Sequence, residues 1–275
     1  MRWRSLLVLG LGFAGLLAAT PRSSPPAPPA GPILLITLEG LRPDVVGGLG
    51  GEAGWTPQLD RLIAQADWAG RAIAPSSAAV PSLVSVLTGL RPWQHQVLAP
   101  GARRLRLELV TLPELLARRG YQARGYTDRT ELAGGSGFSR GLRSMTSLRR
   151  GGQAAAEMAS FEGGKQMVWA HLTAPGPPYV RRVWMTDPAR PETTPLPRRV
   201  ELADLERWAD PSRPLPPEQR DELAQMYRFN VVNADAIVGR LLEALDGRPD
   251  GHRALVVVAG VTWQEPGEDG QIGSG

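Results

Sequence analysis

Short apolar runs that stop abruptly at turn residues constrain the fold of this chain more than any other feature. The first covers residues 33–38 and ends at Glu39 and Gly40, and comparable runs cover residues 166–172 and 254–259. A short apolar run bounded by turn residues is typical of a strand buried on both faces, as the central strands of parallel sheets are. The sequence therefore predicts an α/β fold built around central parallel strands.

The position of Glu39 makes it the first candidate for a functional residue. It directly follows the first apolar run, so it lies at the carboxyl end of a predicted parallel strand. Ligands and metal ions of open α/β sheets gather just beyond these strand ends. A carboxylate at this position is either a metal ligand or an acidic loop residue.

The composition indicates a globular domain and excludes several kinds of chemistry. Of the 275 residues, 42% are hydrophobic and 21% are charged, which is enough apolar material to bury a core. The absence of cysteine excludes disulfides, thiolate metal sites and a cysteine nucleophile. The net charge is +4, but the arginines are scattered in pairs such as Arg103 and Arg104, without interleaved aromatic residues. We therefore expect no nucleic-acid partner.

Residues 1–20 have the pattern of an export signal. Arg2 and Arg4 supply a positive start, and an apolar stretch follows over residues 6–19. This stretch is shorter than the ~20 residues that usually span a membrane. Pro21 disfavours cleavage after residue 20, so the alternative is an uncleaved anchor that tethers the protein to a membrane through residues 6–19. Both alternatives predict an exported protein that is periplasmic, secreted or membrane-anchored.

The rest of the chain divides into a linker and one domain. Residues 21–32 are rich in proline and serine and predict an extended linker, and residues 33–275 form the predicted α/β domain. Within it, apolar residues at near-3.6 spacing predict a long helix over residues 217–245. Thr56 before Pro57 predicts the N-cap and first residue of a shorter helix.

Two ordered stretches resemble the sulfatase branch of the alkaline-phosphatase superfamily. The first covers residues 33–44, where Leu41, Arg42 and Asp44 match the family's Asp-Thr-Leu-Arg-x-Asp and Glu39 replaces its metal-binding Asp. The second covers residues 74–97, which are similar to the family's nucleophile loop and the helix after it. The residues of this stretch that fall in register are Pro81, Ser82, Leu87, Thr88, Gly89, Pro92 and His95.

The resemblance implies an alkaline-phosphatase/sulfatase-like fold, with a mostly parallel central sheet and helices on both faces. It also implies a degenerate member of the family. The family's nucleophile position is Ala79 here, and a methyl group cannot attack sulfur or phosphorus. The other substituted family positions are Leu83 for Arg, Ser139 for Asp, Ala174 for Asp, Gly176 for His, and Val261 and Thr262 for a metal-binding Asp and His. Compared with the family, the chain is also expected to be short at its C-terminus.

Three interpretations remain open at this point. The first is an exported sulfatase-like domain that has lost hydrolytic activity, needs no cofactor, and binds an anionic glycan, a lipid headgroup or a protein partner. The second is an active sulfuric or phosphoric ester hydrolase that uses Asp44, His171 and a serine such as Ser77, with a divalent metal such as calcium on Glu39. The third is a truncated relic. A lone histidine is more often structural than catalytic, which favours a structural role for His171.

Overall fold

The computed structural model describes residues 4–7, 31–69, 72–98, 104–129, 132, 137–148, 155, 163–180, 196–210, 212, 214–262, 264–266 and 272–274. The strands are β1 (Arg4–Leu7), β2 (Ile33–Glu39), β3 (Asp67–Trp68), β4 (Gln122–Thr127), β5 (Leu142–Ser147), β6 (Gln166–Pro175), β7 (Tyr179–Val180), β8 (Arg199–Val200), β9 (Leu255–Gly260), β10 (Gln264–Pro266) and β11 (Ile272–Ser274). The helices are α1 (Pro57–Ile63), α2 (Ala79–Thr88), α3 (Pro92–His95), α4 (Leu112–Ala117), α5 (Leu202–Trp208) and α6 (Pro217–Asp246). Short 3-10 turns lie at Pro43–Val45, Gly47–Leu49 and Gly251–Arg253.

A parallel sheet forms the centre of the domain. Its strand order within the described residues is β3-β1-β9-β2-β6-β4-β5, and every neighbouring pair in it is parallel. Strand β2 lies between β9 and β6, with Leu35 opposite Val257 on one side and Trp169 on the other. The predicted parallel central strand at residues 33–38 is therefore confirmed, and so is the predicted α/β fold class.

Helices cover both faces of this sheet because its central strands are apolar on both sides. Leu34, Ile36 and Leu38 of β2 pack with α1 and α6. The alternate residues Ile33 and Leu35 pack with α2 and α4 on the opposite face. This alternation is the period of two that an extended strand imposes on its side chains.

Helix α6 packs both on the sheet and on the loops at the carboxyl end of the sheet. It covers Pro217–Asp246 and confirms the long helix predicted over residues 217–245. Its second half packs on the sheet, whereas its first half packs against the hairpin of β7 and β8. Side chains from one rigid helix therefore reach several of the loops that follow the strands.

Helix α6 also caps α1, which the sequence predicted to be capped by Thr56. Helix α1 does begin at Pro57, but the Thr56 side chain does not cap it. Instead, the buried carboxylate of Asp235 accepts the backbone N–H groups of Gln58 at 3.1 Å and Leu59 at 2.8 Å. The cap comes from a residue that is distant in sequence, because a buried helix start needs an acceptor wherever the fold provides one.

Replacing Asp235 by alanine is expected to lower the free energy of unfolding by about 1–2 kcal/mol, because two N–H groups lose their acceptor. Urea unfolding followed by circular dichroism measures the loss. Asp221→Ala, at an exposed position of the same helix, is the matched control and should stay within about 0.5 kcal/mol of the parent protein. An Asp235→Ala protein as stable as that control would contradict the capping role.

The N-terminal segment contributes one strand to the sheet. Strand β1 pairs in parallel with β9 and β3, so residues 4–7 of the predicted export signal lie within the sheet. The rest of residues 1–20 lies outside the described residues, and the export signal or anchor stays a prediction. Among the described residues, no helix combines the length and the apolar character needed to cross a membrane.

The domain begins before the predicted boundary at residue 33. Gly31 and Pro32 are buried, and their carbonyl oxygens accept hydrogen bonds from the Tyr121 hydroxyl at 3.2 Å and the Leu255 N–H at 2.9 Å. These two residues therefore pack as part of the domain. The remaining residues of the predicted linker, 21–30, lie outside the described residues.

Candidate functional site

Four side chains on one face of strands β2 and β6 form the centre of the candidate site. They are Thr37 and Glu39 of β2, and Trp169 and His171 of β6. Thr37 lies opposite His171 in the parallel register. Because alternate residues of a strand share a face, these four side chains lie on the face of the sheet that α2 covers.

A chain of hydrogen bonds joins the four side chains. The Trp169 indole N–H donates to Thr37 Oγ1 at 3.0 Å, and this hydroxyl lies 2.9 Å from His171 Nδ1. His171 Nε2 lies 2.8 Å from Glu39 Oε1. An ionised carboxylate can only accept, so His171 Nε2 carries a proton and donates it to Glu39 Oε1, while Nδ1 pairs with the Thr37 hydroxyl.

Arg129 completes this network from a third strand. It lies two residues beyond the end of β4, which neighbours β6 in the sheet. Its Nε donates to Glu39 Oε1 at 2.7 Å and its terminal NH2 donates to Glu39 Oε2. Arg129 and Glu39 therefore form a two-point ion pair, in which the fork of the guanidinium matches the carboxylate. Glu39 is only 6% exposed, so this carboxylate is held away from water.

The charge state of Glu39 follows from these partners. Burial by itself raises the pKa of Glu39, but hydrogen bonds and charge interactions from His171 and Arg129 outweigh burial and hold this pKa below its ordinary value of 4.5. A carboxylate whose pKa is lower in the folded than in the unfolded protein stabilises the fold at pH values above its unfolded pKa. That stabilisation is lost as the pH falls through the folded pKa.

We therefore expect the parent protein to lose stability more steeply than Glu39→Gln as the pH falls below about 4.5. Glu39→Gln should start from a lower free energy of unfolding at pH 7 and depend less on pH. Urea unfolding at steps between pH 7 and pH 3 measures both curves. Glu206→Gln, at an exposed position of α5, should follow the parent curve. Parallel curves for the parent and Glu39→Gln would show that Glu39 makes no such contribution.

The loops beyond β2 and β6 are bound together by side chains of α6. The Tyr227 hydroxyl donates to Gly40 O at 2.9 Å and accepts from Arg42 N at 3.2 Å. Asn230 Nδ2 donates to the carbonyl oxygens of Gly176 at 3.1 Å and Pro178 at 3.2 Å. Helix α6 thus holds the backbone around Glu39 in place.

Val261 and Thr262, which replace a metal-binding Asp and His of the resembled family, have structural contacts here. The Val261 N–H donates to Leu38 O at 2.9 Å, and its side chain is 2% exposed in the core. Thr262 Oγ1 accepts the N–H of Gly40 at 3.1 Å. Both residues connect the end of β9 to the end of β2.

Asp44 also forms an internal ion pair. Arg42 donates to it in two-point fashion, from Nε at 3.0 Å and from the terminal NH2. The hydrogen bond from Arg42 holds the pKa of Asp44 below its ordinary value. The Arg42 guanidinium carbon lies 5.9 Å from the Tyr227 ring centroid, so this ion pair packs on the residue that also fixes the Gly40 turn.

The structure does not bring the predicted nucleophile and base together. Ala79, which the sequence resemblance places at the nucleophile position, is the first residue of α2, and Ser77 is exposed in the turn before it. Both ring nitrogens of His171 are engaged, one with Thr37 and the other with Glu39. His171 is fully buried, and neither nitrogen is directed at Ser77 as a general base would need to be.

The residues around Glu39 do not fit a metal ion. Both Glu39 oxygens are occupied by protein donors, and His171 presents its protonated nitrogen to them. The other two histidines of the chain are elsewhere: His95 bonds Ser85 and the Val97 N–H, and His252 lies in the turn before β9. Within the described residues, no group of three or more His, Asp or Glu side chains could hold a metal. The metal-ligand role of Glu39 remains a prediction that this donor set does not favour.

Sequence reasoning missed Arg129, the residue with the strongest link to Glu39. One signal could have found it. Residues 121–126 predict a strand, and Arg129 follows its end, where polar side chains of parallel sheets gather. Thr37 and Trp169 lie inside apolar runs and carried no such signal, because their roles depend on a partner on the neighbouring strand.

Two clefts open near the carboxyl end of β2. The first is apolar, lies beside Leu41 and Val258, and offers about 10 Å³, which is room for one water molecule at most. The second offers about 110 Å³ and has polar walls. Its lining residues are Asp44, Val45, Glu52, Trp55, Arg228 and Val231. The Arg228 guanidinium carbon lies 6.0 Å from the Trp55 ring centroid, so the indole forms part of a charged wall.

Comparison with known proteins identifies the fold by structure alone. No family model matches the sequence, and no curated protein matches it. Among solved structures, a 2-O GAG sulfatase superposes with a TM-score of 0.68 and 16% identity, over 88% of this chain and 60% of that one. A phosphonate monoester hydrolase of Agrobacterium radiobacter gives a TM-score of 0.63 and 14% identity, over 88% of this chain and 64% of the other.

A third similar structure is the C-terminal periplasmic domain of EcEptC from Escherichia coli in complex with Zn. Its TM-score is 0.60 at 14% identity, and the match covers 88% of this chain and 66% of that one. The chain thus spans less than two thirds of the length of each of the three. Together they confirm that the domain has a sulfatase-like fold.

Proposed function

We propose that this protein is an exported, sulfatase-like domain that does not hydrolyse esters and acts instead by binding a ligand or a partner. The observation that carries the proposal is Ala79. It occupies the position of the nucleophile at the start of α2, and its methyl group can neither attack a sulfate or phosphate nor be activated to do so. The fold alone implies no activity, since one fold hosts many functions.

The neighbouring serine is a poor substitute for the missing nucleophile. Ser77 is two residues away in an exposed turn, and a displacement of even one peptide unit exceeds what in-line attack tolerates. His171, the other candidate, is buried with both nitrogens engaged. These two placements support the absence of hydrolysis over the alternative of an active ester hydrolase.

The full-length chain should therefore show no turnover of p-nitrophenyl sulfate or p-nitrophenyl phosphate with calcium, magnesium, manganese or zinc. Ser77→Ala is the diagnostic variant, and Glu206→Gln is a control remote from the site. Saturable turnover that is lost in Ser77→Ala and kept in Glu206→Gln would overturn the proposal and support the hydrolase alternative.

For the ligand, we propose that a glycan, a lipid headgroup or a protein partner binds at the polar cleft beside Trp55. Ligand pockets typically enclose 300–1,000 Å³, so a cleft of about 110 Å³ suits one small group at a time. It carries two carboxylates, Asp44 and Glu52, against the one guanidinium of Arg228. A glycan would therefore bind through hydroxyl groups, and the charged groups of an anionic glycan would lie outside the cleft.

Binding can be tested with the full-length chain by calorimetry against neutral and sulfated glycan fragments and by co-sedimentation with anionic lipid vesicles. Trp55→Ala should weaken any binding at least tenfold. Trp93→Ala is the matched control, because Trp93 is also a surface tryptophan and is 59% exposed. Equal binding by both variants would place the ligand elsewhere.

Export is supported by the pattern of residues 1–20 and by the periplasmic domain among the similar structures. A fusion of the full chain to a reporter that is active only outside the cytoplasm should be active. Arg2→Glu with Arg4→Glu should reduce that activity, since a positive start directs export. An inactive fusion of the parent chain would contradict the proposal.

A further inference from the structure

We propose that the Arg129 guanidinium is a built-in cation that neutralises Glu39 and takes over the charge-balancing role that a metal ion would have at this strand end. The proposed function concerns hydrolysis, whereas this inference concerns which positive charge balances Glu39. Each can fail without the other. The inference starts from the finding that the residues around Glu39 do not fit a metal.

A positive charge is required beside Glu39. Its carboxylate is 6% exposed at the end of a central strand, and an ionised carboxylate buried without a partner is strongly unfavourable. Buried charges in proteins are paired or coordinate a metal. His171 reaches only Glu39 Oε1, through Nε2, and its imidazole is charged only when it is protonated.

Arg129 meets this requirement in full. Its guanidinium donates hydrogen bonds to both Glu39 oxygens, one of them from Nε at 2.7 Å. A guanidinium stays charged at every physiological pH, so the pair is permanent. The Arg129 N–H also donates to Thr127 Oγ1 at 3.0 Å, which fixes the turn from which the side chain extends.

The charge count leaves no place for a further cation. Glu39 and Arg129 sum to zero, and a divalent ion on Glu39 would face the guanidinium at close range with two positive charges. Asp128, which directly precedes Arg129 in the chain, is committed elsewhere. Its two oxygens accept the Thr173 N–H at 2.9 Å and the Thr173 hydroxyl at 2.8 Å.

Removing Arg129 should recreate a partial metal site. Glu39 Oε1 and His171 Nε2 lie 2.8 Å apart, and a separation of about 3.3 Å, only about 0.5 Å more, would let both bind one tetrahedral zinc ion. If the proton of His171 moves to Nδ1, Nε2 presents its lone pair beside the carboxylate. Arg129→Met keeps most of the side-chain length and removes only the charge and the donors.

The test compares thermal melting of the full-length parent chain, Glu39→Gln, Arg129→Met, Arg129→Met with Glu39→Gln, and Arg129→Lys. Each is measured with chelator and then with calcium, magnesium, manganese or zinc alone. We expect a parent midpoint that no metal moves, and a lower midpoint for Arg129→Met. Zinc should raise the Arg129→Met midpoint saturably by several degrees, and the double variant should not respond, since only a native-state ligand shifts the midpoint.

Arg129→Lys keeps one positive charge without the fork, so it should melt between the parent and Arg129→Met and ignore every metal. If Arg129→Met does not fold, the melting midpoint of Arg129→Lys can still be compared with that of the parent. Two results would each overturn the inference. One is a metal-induced rise in the parent midpoint that Glu39→Gln abolishes, and the other is an Arg129→Met protein that melts with the parent.

Discussion

Replacing Arg129 by methionine is expected to lower the free energy of unfolding by about 3 kcal/mol. Breaking a buried ion pair by removing one partner costs about 3–5 kcal/mol, because the remaining charge stays buried without compensation. The lower end of this range applies, since the Arg129 side chain is 21% exposed and water partly screens the pair. Guanidinium unfolding at pH 7 provides the measurement.

A double-mutant cycle with Glu39→Gln separates the ion pair from the other contacts of both residues. The double variant should be more stable than the sum of the single losses predicts, by about 2–3 kcal/mol, because the second change removes the charge that the first left unpaired. Arg207→Met is the matched control. Its ion pair with Asp204 lies on the surface with Arg207 70% exposed, so the loss should be under about 1 kcal/mol. Additive single losses would mean that Glu39 and Arg129 do not interact in solution.

Replacing Trp169 by alanine is expected to cost about 3–5 kcal/mol, the usual range for removing a large aromatic side chain from a core. Trp169 is completely buried in the core cluster on the α2 face, where it packs in the middle of β6. The loss also removes the donor to Thr37, whose hydroxyl orients His171. The free energy of unfolding from urea titration measures the effect.

Trp169→Phe divides this loss into its two parts. Phenylalanine keeps most of the packing and lacks the indole N–H, so its cost should combine about 1 kcal/mol for the hydrogen bond with a small cavity term. A Trp169→Ala protein within about 1 kcal/mol of the parent would show that β6 is not packed between β2 and β4 as described.

The fold could be predicted from the sequence because the patterns that indicate its strands and helices each lie within one short segment. The apolar run at residues 33–38 needs no partner to be recognised as a buried strand, and the helical period of residues 217–245 is a property of that segment alone. The ordered motifs around Leu41 and Pro81 then pointed to the sulfatase-like fold. The structure confirms these features, with small shifts at the ends of the elements.

The candidate site was predicted only in part. The substitution of the resembled family's nucleophile by Ala79 is a prediction from the sequence, in which the flanking Pro81 and Ser82 set the register. The pairing of Arg129 with Glu39 is not visible, since Arg129 is far from Glu39 in the sequence and no motif connects them. The cap of α1 shows the same limit, because Thr56 satisfied the local rule while Asp235 supplied the acceptor.

By itself, the sequence of this protein determined where strands and helices form and which residues of the resembled motifs are substituted. Both depend on the identity and spacing of neighbouring residues. Only the tertiary structure decided that Arg129, His171 and Thr37 surround Glu39. It also decided two contacts of α6, in which Asp235 caps α1 and Tyr227 binds the turn at Gly40. Such contacts depend on sheet order and strand register, which bring together groups that are distant along the chain. Because a buried charge or N–H group must find a partner, the fold supplies one from whichever strand or helix lies beside it.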